Sequence, residues 1–167
     1  MASHFFQRPL RLTTSVLKLC CLTHLTFTEF IQIAPSQGPS MVPTFTVQGD
    51  WILSDMTSRR GRGVGVGDVV MYRIPISDVN CGVKRIIGMP GDFVTLRNPQ
   101  DLSGSQVIQI PQGHCWIEGD NLPVSRDSRH FGPLPLALIQ GKVMAKILPW
   151  RERHWVANGL EPVHQTA

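Results

Sequence analysis

Short runs in which apolar and polar residues alternate account for much of the chain after residue 50. Each run is rich in β-branched or aromatic residues and is bounded by Gly, Pro, Asn or Asp. Because side chains along a strand point alternately to the two faces of a sheet, this period of two predicts β-strands. The predicted strands cover 51–54, 68–74, 83–88, 93–96, 107–110, 114–118 and 142–148. Gly-rich and polar segments at 57–67 and 98–105 predict loops, and 136–141 predicts a short helical turn. The predicted fold class is mainly β, built of antiparallel sheets.

The N-terminal region, residues 1–33, has a different pattern. It begins with a basic arm that has no acidic residue before Glu29, and this arm resembles a mitochondrial targeting sequence. A mainly apolar stretch follows at 16–33 and predicts a helical membrane-anchor segment. Lys18, His24 and Glu29 interrupt this stretch, whereas a membrane-spanning helix has about 20 largely apolar residues.

Three placements of this segment are open from the sequence alone. It spans a membrane with the help of a partner, it lies at the membrane surface, or it is an amphipathic helix packed on a soluble domain. If it spans, the positive-inside tendency places the residues after 33 on the face opposite the basic arm. We predict three regions: the arm and helix at 1–33, a β domain at 34–149, and a polar, flexible tail at 150–167.

Length and composition fit one folded domain. The 167 residues are 42% hydrophobic and 17% charged, and their 15 Gly and 13 Pro favour a turn-rich β protein. The net charge of +4 is spread along the chain rather than gathered into a basic stripe, which argues against nucleic-acid binding. The four cysteines have no C-x-x-C spacing, so we expect buried thiols rather than a zinc or redox site.

A candidate nucleophile lies in a conformationally restricted segment, GPSMVPT at 38–44. A hydroxyl held in a rigid turn can reach a substrate, and the N–H of the same residue can point at the developing oxyanion. Such turns are also common in ordinary loops, so Ser40 alone indicates little.

A candidate base interrupts an otherwise apolar predicted strand, in GVKRIIGMPGD at 82–92. Alternation places Lys84 on the face opposite Val83 and Arg85. Lysines on strands are usually exposed. If apolar neighbours instead desolvate Lys84, burial lowers its pKa, and the neutral amine can take a proton from Ser40.

A third segment, GDNLPVSRDSRHFGP at 119–133, alternates acids, hydroxyls and arginines. Exposed ion pairs contribute little to stability. A network this dense therefore favours a hydrogen-bonded scaffold that holds a site in position over a merely solvated surface.

Taken together and in this order, the segments resemble the type I signal peptidase family. The matching motifs are S-M-x-P-T at 40–44, G-D-x-V-x-Y at 67–72, K-R-x-x-G-x-P-G-D at 84–92, and G-D-N, S-x-D-S-R and G-P within 119–133. The resemblance covers about residues 34–149, and the conjunction of motifs is highly specific. Within the family, the short chain and basic N-terminal segment are most similar to the catalytic subunits of mitochondrial inner membrane peptidases, to the first subunit more than to the second.

The resemblance implies a signal-peptidase-type fold and a serine peptidase in which Ser40 is the nucleophile and Lys84 the general base. It also implies that Ser125 hydrogen-bonds the lysine. The implied ion-pair scaffold consists of Asp120, Asp127, Arg85 and Arg129. The implied cleft, in which a substrate lies extended, is lined by Gly38, Met41 and Val83. No metal or cofactor is implied.

One position departs from the family pattern. Bacterial relatives often carry a hydroxyl residue two positions before the nucleophile as an oxyanion donor, and Gly38 occupies this position here. Loss of one such donor typically costs about 10²–10³ in rate, so we expect another group to replace it.

The implied activity is that of a membrane-bound serine endopeptidase that removes N-terminal sorting or signal segments from proteins delivered to the mitochondrial intermembrane space. The implied location is the inner membrane, with the catalytic domain facing that space. The implied partners are precursor proteins and a homologous peptidase subunit in a heterodimer.

Two other interpretations are weaker. A self-cleaving repressor of the LexA type has a similar serine box and strand lysine, but it predicts a helix-turn-helix before the serine and no box at 119–133. A non-catalytic β subunit that supports a homologous active peptidase belongs to a different class of protein, and the presence of Ser40, Lys84 and Ser125 disfavours it.

Overall fold

The computed structural model of the chain describes residues 3–75, 81–96 and 106–158, with side chains from residue 11 onward except at 96 and 106. The predicted loop at 98–105 and residues 159–167 of the predicted tail lie outside the described residues.

The described residues form a mainly β fold with an N-terminal helix, which confirms the predicted fold class. One sheet has the strand order β1-β2-β9-β3-β4-β7-β8, with β10 paired to β9, and β5 and β6 form a separate pair. All of these pairs are antiparallel. The strands are β1 (Ile31–Ser36), β2 (Asp50–Asp55), β3 (Val69–Arg73), β4 (Cys81–Gly88), β5 (Phe93–Leu96), β6 (Gln106–Gln109), β7 (His114–Glu118), β8 (Leu134–Pro135), β9 (Ile139–Leu148) and β10 (His154–Trp155).

Most predicted strands correspond closely to observed ones. The bounds of β5 and β7 equal the predicted 93–96 and 114–118. The predicted helical turn at 136–141 is a shorter 3₁₀ turn, Leu136–Leu138. Strand β9 begins at Ile139, earlier than predicted, because its first residues pair with Tyr72 and Met71 of β3.

Strand β1 begins inside the segment that was predicted as helical. The helix α1 covers Ser3–Leu25 and continues as a π-helical turn, Thr26–Phe30, before Ile31 enters the sheet opposite Asp55 of β2. The apolar run does not distinguish helix from strand by itself, and pairing with β2 decides where the helix ends. The boundary of the β domain therefore lies about three residues before the predicted one.

The described side chains of α1, from residue 11 to Leu25, are all exposed. Leu12, Val16, Leu19 and Leu22 are each at least 60% exposed, so this part of α1 does not pack on the β domain. The third sequence-based placement, an amphipathic helix packed on a soluble domain, is therefore wrong for this part of the helix. Among the described residues, none of the helices combines the length and the apolar character needed to cross a membrane.

The central strands are buried on both faces. In β3, Val70 packs in a cluster with Ile86 and Ile117, whereas its neighbour Val69 packs in a second cluster with Met41. Alternate residues of one strand thus support two different cores, as expected for a sheet that curls around its own inner face. Strand β4, which carries Lys84 and Arg85, lies next to β3 in this covered region.

Two other expectations are corrected. Three of the four cysteines, Cys20, Cys21 and Cys81, are exposed, and only Cys115 is the buried thiol that we expected. The first part of the predicted flexible tail is ordered, because β10 pairs with β9 and Lys146 forms an ion pair with Glu152 at 2.7 Å.

Candidate active site

Ser40 lies in a 3₁₀ turn, Pro39–Met41, that follows β1. Gly38 precedes it with φ of +103°, in the left-handed region that other residues rarely adopt. Pro39 begins the turn, and the side chain of Met41, which is 3% exposed, packs in the core with Phe45. The turn is therefore fixed on both sides of Ser40 by backbone geometry and by packing.

The side chain of Lys84 contacts the side chain of Ser40. Its Nζ lies 2.7 Å from Ser40 Oγ and 2.9 Å from the carbonyl oxygen of Val83. Lys84 is 6% exposed, and on its face of the sheet it lies opposite Val70 of β3 and next to Ile86, both of which are fully buried. A pair of residues 44 positions apart in sequence is thus brought into hydrogen-bond contact in an apolar setting.

Burial lowers the pKa of the Lys84 amine from its ordinary value, and the negative charges of Asp127 and Asp120 only partly oppose this effect. Desolvation favours the neutral form of a lysine because the charged form loses its hydration. Lys84 consequently carries a neutral amine over a wider pH range than an exposed lysine does, and a neutral amine at 2.7 Å can accept the hydroxyl proton of Ser40.

Ser125 does not make the predicted hydrogen bond to Lys84. Its Oγ is buried and lies next to the Asp127 carboxylate, but outside hydrogen-bond geometry to any described group. Ser125 Oγ is also the nearest atom to the position that a Cβ on Gly119 would occupy, only 2.3 Å away, and Ser40 O follows at 2.5 Å. A side chain at position 119 would therefore clash with Ser125 and with the backbone of the Ser40 turn, so this position requires glycine.

Arg85, the neighbour of Lys84 on β4, holds Asp120 through a bidentate ion pair. Nε and Nη2 of Arg85 donate to the two carboxylate oxygens of Asp120, each at 2.8 Å. The hydroxyl of Thr44 donates to the same carboxylate, and Arg85 Nη2 also donates to Thr44 Oγ1 at 3.3 Å. Burial alone would raise the pKa of Asp120, but these hydrogen bonds and the Arg85 charge hold it below its ordinary value.

A second bidentate pair closes the 119–133 segment on itself. Arg129 donates to both oxygens of Asp127 at 2.9 Å, and the N–H of Gly119 donates to the same carboxylate at 3.0 Å. Asp127 is fully buried and also caps the short helix α2, Ser128–Phe131. Burial would raise its pKa, but the Arg129 and backbone hydrogen bonds hold it below the ordinary value.

Sequence reasoning missed the contact that joins this segment to the nucleophile turn. The N–H of Asn121 donates to the carbonyl oxygen of Ser40 at 3.0 Å, and Asn121 Nδ2 donates to that of Pro39 at 3.1 Å. Asn121 and Thr44 both lie inside the motifs that were recognised. Their side-chain partners, however, lie far along the chain, so no local pattern indicates them.

A cleft of about 320 Å³ opens over Ser40 and Lys84. Gly38, Met41 and Val83, predicted to line it, all do so. Its wall also includes residues that the sequence did not indicate: Ser36, Gln37, Tyr72, Ile74, Cys81 and Arg126. Tyr72 fits against Gly82, where a Cβ would lie 2.8 Å from its ring, and burial together with the Asp127 charge raises the pKa of Tyr72 to about 12.

The backbone N–H of Gly38 is already engaged, since it donates to the carbonyl oxygen of Val47 at 2.8 Å. This N–H therefore does not supply the oxyanion donor that is absent from the Gly38 side chain. Hydroxyl and amide groups on the cleft wall are contributed by Ser36 and Gln37.

Known proteins match most of this chain. The profile of the family described as signal peptidase, peptidase S26, matches residues 10–102 and 98–148. Mitochondrial ATP-independent inner membrane protease subunit 1a of Arabidopsis thaliana is 43% identical over 135 residues, which are 80% of each chain. Mitochondrial inner membrane protease subunit 1 of Schizosaccharomyces pombe is 37% identical over 154 residues, 92% of this chain and 95% of that one. Subunit 2 of the same yeast is 33% identical over 122 residues, 72% of this chain and 66% of its own.

The extent of these matches, which include the whole segment from the nucleophile turn to β9, decides the family. The resemblance inferred from four short motifs is confirmed. This chain belongs to the signal peptidase family, peptidase S26, and is a protease of the signal peptidase type.

Proposed function

We propose that this chain is a serine endopeptidase in which Ser40 attacks the peptide carbonyl and Lys84 is the general base. The contact of 2.7 Å between the buried Lys84 Nζ and Ser40 Oγ, at the wall of a cleft, carries this proposal. A lysine whose pKa is lowered by burial can act as a base near neutral pH, whereas an ordinary lysine is protonated there.

The chemical steps follow from the geometry of these two groups. Neutral Lys84 takes the hydroxyl proton as Ser40 Oγ bonds to the substrate carbonyl carbon. The Lys84 ammonium then gives the proton to the leaving amine, and an acyl-enzyme on Ser40 remains. Water, deprotonated by the same amine, then attacks the acyl carbon, and the Lys84 ammonium returns the proton to Ser40 Oγ as the bond between Oγ and the acyl group breaks and the product leaves. The Ser40 N–H is one donor to the oxyanion, and a group of the cleft wall supplies the other.

We assign to Arg85, Asp120, Asp127 and Arg129 the positioning of the 119–133 segment against β4 and the Ser40 turn. The two bidentate pairs and the Asn121 bond to Ser40 support this assignment. Ser125, buried beside Asp127 with its hydroxyl oxygen unsatisfied among the described groups, keeps as a proposal the role that the family resemblance implies, direction of the Lys84 amine.

The relatives support a proposed substrate class and location. Proteins named mitochondrial inner membrane protease subunit 1 align with 92% of this chain in one case, and a subunit 2 also aligns. We propose that the chain removes N-terminal sorting segments from precursors delivered to the intermembrane space. The exposed leucines and basic residues of α1 support attachment to the inner membrane, and a homologous subunit is the proposed partner.

The test is cleavage of such a precursor by the purified chain, with N-terminal sequencing of the product. Ser40→Ala and Lys84→Ala are each expected to abolish cleavage. The double variant should be no worse than either, because the two groups act as a unit. Substantial turnover by Ser40→Ala would refute the assigned nucleophile.

The same preparation tests the alternative of a non-catalytic supporting subunit. Labelling of Ser40 by a serine-reactive acylating probe, in the chain without its partner, is expected. Cleavage that depends on the partner's serine alone, with no labelling of Ser40, would favour the supporting role.

A further inference from the structure

Residues Val156–Asn158, here called the C-terminal strap, return from β10 to the back of the candidate active site. The N–H of Val156 donates to the carbonyl oxygen of Met144 at 2.9 Å, which continues the pairing of β10 with β9. The Val156 side chain packs against the cluster that contains Met41 and Val69. The strap is thus docked on the core that supports the Ser40 turn.

Asn158 joins the strap to the turn before β3. Its Nδ2 donates to the carbonyl oxygen of Val66 at 2.9 Å. Its side chain lies against Gly67, where a Cβ would be only 1.7 Å from Asn158 Oδ1. Gly67 has φ of +91°, a conformation that favours glycine, and a side chain there would displace the Asn158 amide.

This turn and the strap both accept hydrogen bonds from the third nitrogen of the Arg85 guanidinium, Nη1. Arg85 Nη1 donates to the carbonyl oxygen of Gly67 at 2.8 Å and, in a longer contact of 3.4 Å, to that of Ala157. The other two nitrogens of Arg85 bind Asp120 and Thr44. Hydrogen bonds on both sides of a planar guanidinium restrict its orientation. The Gly67 turn and the strap therefore contribute, together with Asp120, to the orientation of Arg85.

The groups that bind Arg85 are connected to the turn that carries the nucleophile. Asp120 precedes Asn121, whose N–H donates to the carbonyl oxygen of Ser40. Arg85 follows Lys84 on the same strand. Hydrogen bonds, joined by chain neighbours at 66–67 and 120–121, therefore lead from Asn158 through Arg85 to Ser40.

We propose that the C-terminal strap is a positioning element of the active site and that Asn158 is its positioning residue. Asn158 acts through the Val66 carbonyl, the adjoining Gly67 turn and Arg85 on the alignment of Ser40 with Lys84. The inference rests on the proposed function in so far as it predicts an effect on catalysis. Asn158 is exposed, so its loss leaves the core intact, and its contribution is to geometry more than to stability.

The experiment uses the full chain and measures cleavage of one peptide substrate, thermal unfolding, and hydrogen exchange of the Asn121 N–H. Asn158→Ala is expected to lower kcat about tenfold, because small misalignments of reacting groups are costly, with KM nearly unchanged. Asn158→Asp, which has the same shape but no N–H to donate to Val66, should match it. Asn158→Gln, which retains the amide, should recover part of the rate.

His154→Ala is the matched control. His154 is exposed on the neighbouring strand β10, and within the described part of the chain its ring hydrogen-bonds only to the Glu152 carbonyl oxygen. This variant should retain the wild-type kcat. In an Arg85→Lys background, Asn158→Ala should cause no further loss, because the route through Arg85 is already broken. Wild-type kcat in Asn158→Ala, an equal loss in His154→Ala, or fully additive losses with Arg85→Lys would overturn the proposal.

Hydrogen exchange separates failure of this inference from failure of the proposed function. The Asn121 N–H should exchange about fivefold faster in Asn158→Ala than in the wild type, whether or not the chain cleaves peptides. Unchanged exchange would overturn the strap proposal even in an active enzyme. Absence of cleavage by the wild-type chain, with the exchange effect present, would overturn only the proposed function.

Discussion

At the scale of single residues, two buried lysines show what makes one of them suitable as a base. Lys146 is 4% exposed and Lys84 is 6% exposed. Burial opposes the charged form of both, but Lys146 contacts the carboxylates of Asp50 and Glu152, and its pKa is raised. Among the described residues, Lys84 has no carboxylate within ion-pair distance, and its pKa is lowered. The environment, rather than the residue type, separates a structural lysine from a candidate base.

Replacement of Lys84 by arginine tests whether a neutral amine is required. Lys84→Arg preserves positive charge and length but cannot lose its proton, so kcat/KM should fall at least about 10⁴-fold. Lys142→Arg is the matched control, because Lys142 is a partly exposed lysine paired with Asp68, and it should remain active. Lys142→Arg should unfold near the wild-type temperature, whereas Lys84→Arg, which buries a permanent charge without a carboxylate partner, should unfold at a lower temperature but still cooperatively. Activity of Lys84→Arg within tenfold of wild type would contradict the role of Lys84.

The pH dependence tests the electrostatics of the same residue. Protonated Lys84 is inactive, so activity should rise with pH through the lowered pKa of Lys84 and be lost below it. Asp120→Asn removes a negative charge that raises this pKa. The acid limb of the kcat/KM profile should therefore move to lower pH, even if the maximal rate also falls.

Asp68→Asn provides the comparison for this shift. Asp68 is paired with Lys142 at 2.8 Å and is not among the charges that act on Lys84. The acid limb of the kcat/KM profile of Asp68→Asn should coincide with that of the wild type. A limb that moves to higher pH in Asp120→Asn would contradict the assignment of the titrating group to Lys84.

At the scale of elements, the site depends on three segments that are held together by buried polar contacts. Strand β4 supplies Lys84 and Arg85, the 3₁₀ turn after β1 supplies Ser40, and the 119–133 segment supplies Asp120 and Asp127. The first two segments are fixed by packing on either side of β3. The third has few buried apolar side chains, and its ion pairs replace the core that it lacks.

Asp127→Ala should therefore destabilise the protein strongly. It removes the carboxylate that accepts from Arg129 and from the Gly119 N–H, and Arg129 keeps only its bonds to the Leu122 and Ser125 carbonyl oxygens. Removal of one member of a buried pair typically costs about 3–5 kcal/mol. Asp92→Ala removes an exposed hydrogen bond to the Met89 N–H and should cost only about 1 kcal/mol. Urea unfolding measures both free energies, and equal costs for the two variants would contradict the scaffold role.

At the scale of the whole molecule, the N-terminal helix and the β domain meet at Ile31. The described part of α1 is exposed, while β1 covers the edge of β2 along its full length. The two parts therefore contribute differently: the helix carries the exposed apolar side chains on which the proposed membrane attachment rests, and the strand completes the sheet.

Two deletions separate these contributions. Removal of residues 1–30 should leave a folded chain that cleaves a soluble peptide but no longer floats with lipid vesicles. Removal of residues 1–36 also deletes β1 and the Pro35 and Ser36 side chains of the cleft, so both stability and activity should fall. Vesicle flotation and urea unfolding of each purified protein are the measurements. Unchanged flotation after the first deletion would assign membrane binding to the β domain.

The sequence alone indicated most of the described strands, but not β1, β8 or β10, and it indicated the chemistry of the motifs. Period-two alternation is a local property, and it located β5 and β7 to the residue. Four motifs in the same order were enough to identify the family, because each motif requires particular residue types at fixed positions.

Only the tertiary structure decided which of these residues meet. Alternation assigns Lys84 to a face of β4, but burial of that face depends on β3 and on side chains distant in sequence. The apolar run before Ile31 has no periodicity that distinguishes helix from strand, and pairing with β2 determines where the strand begins. The return of the strap to Arg85, 72 residues away, follows from the path of β9 and β10. Local sequence fixes backbone preferences and side-chain chemistry, whereas contacts between distant segments depend on the packing of the whole chain.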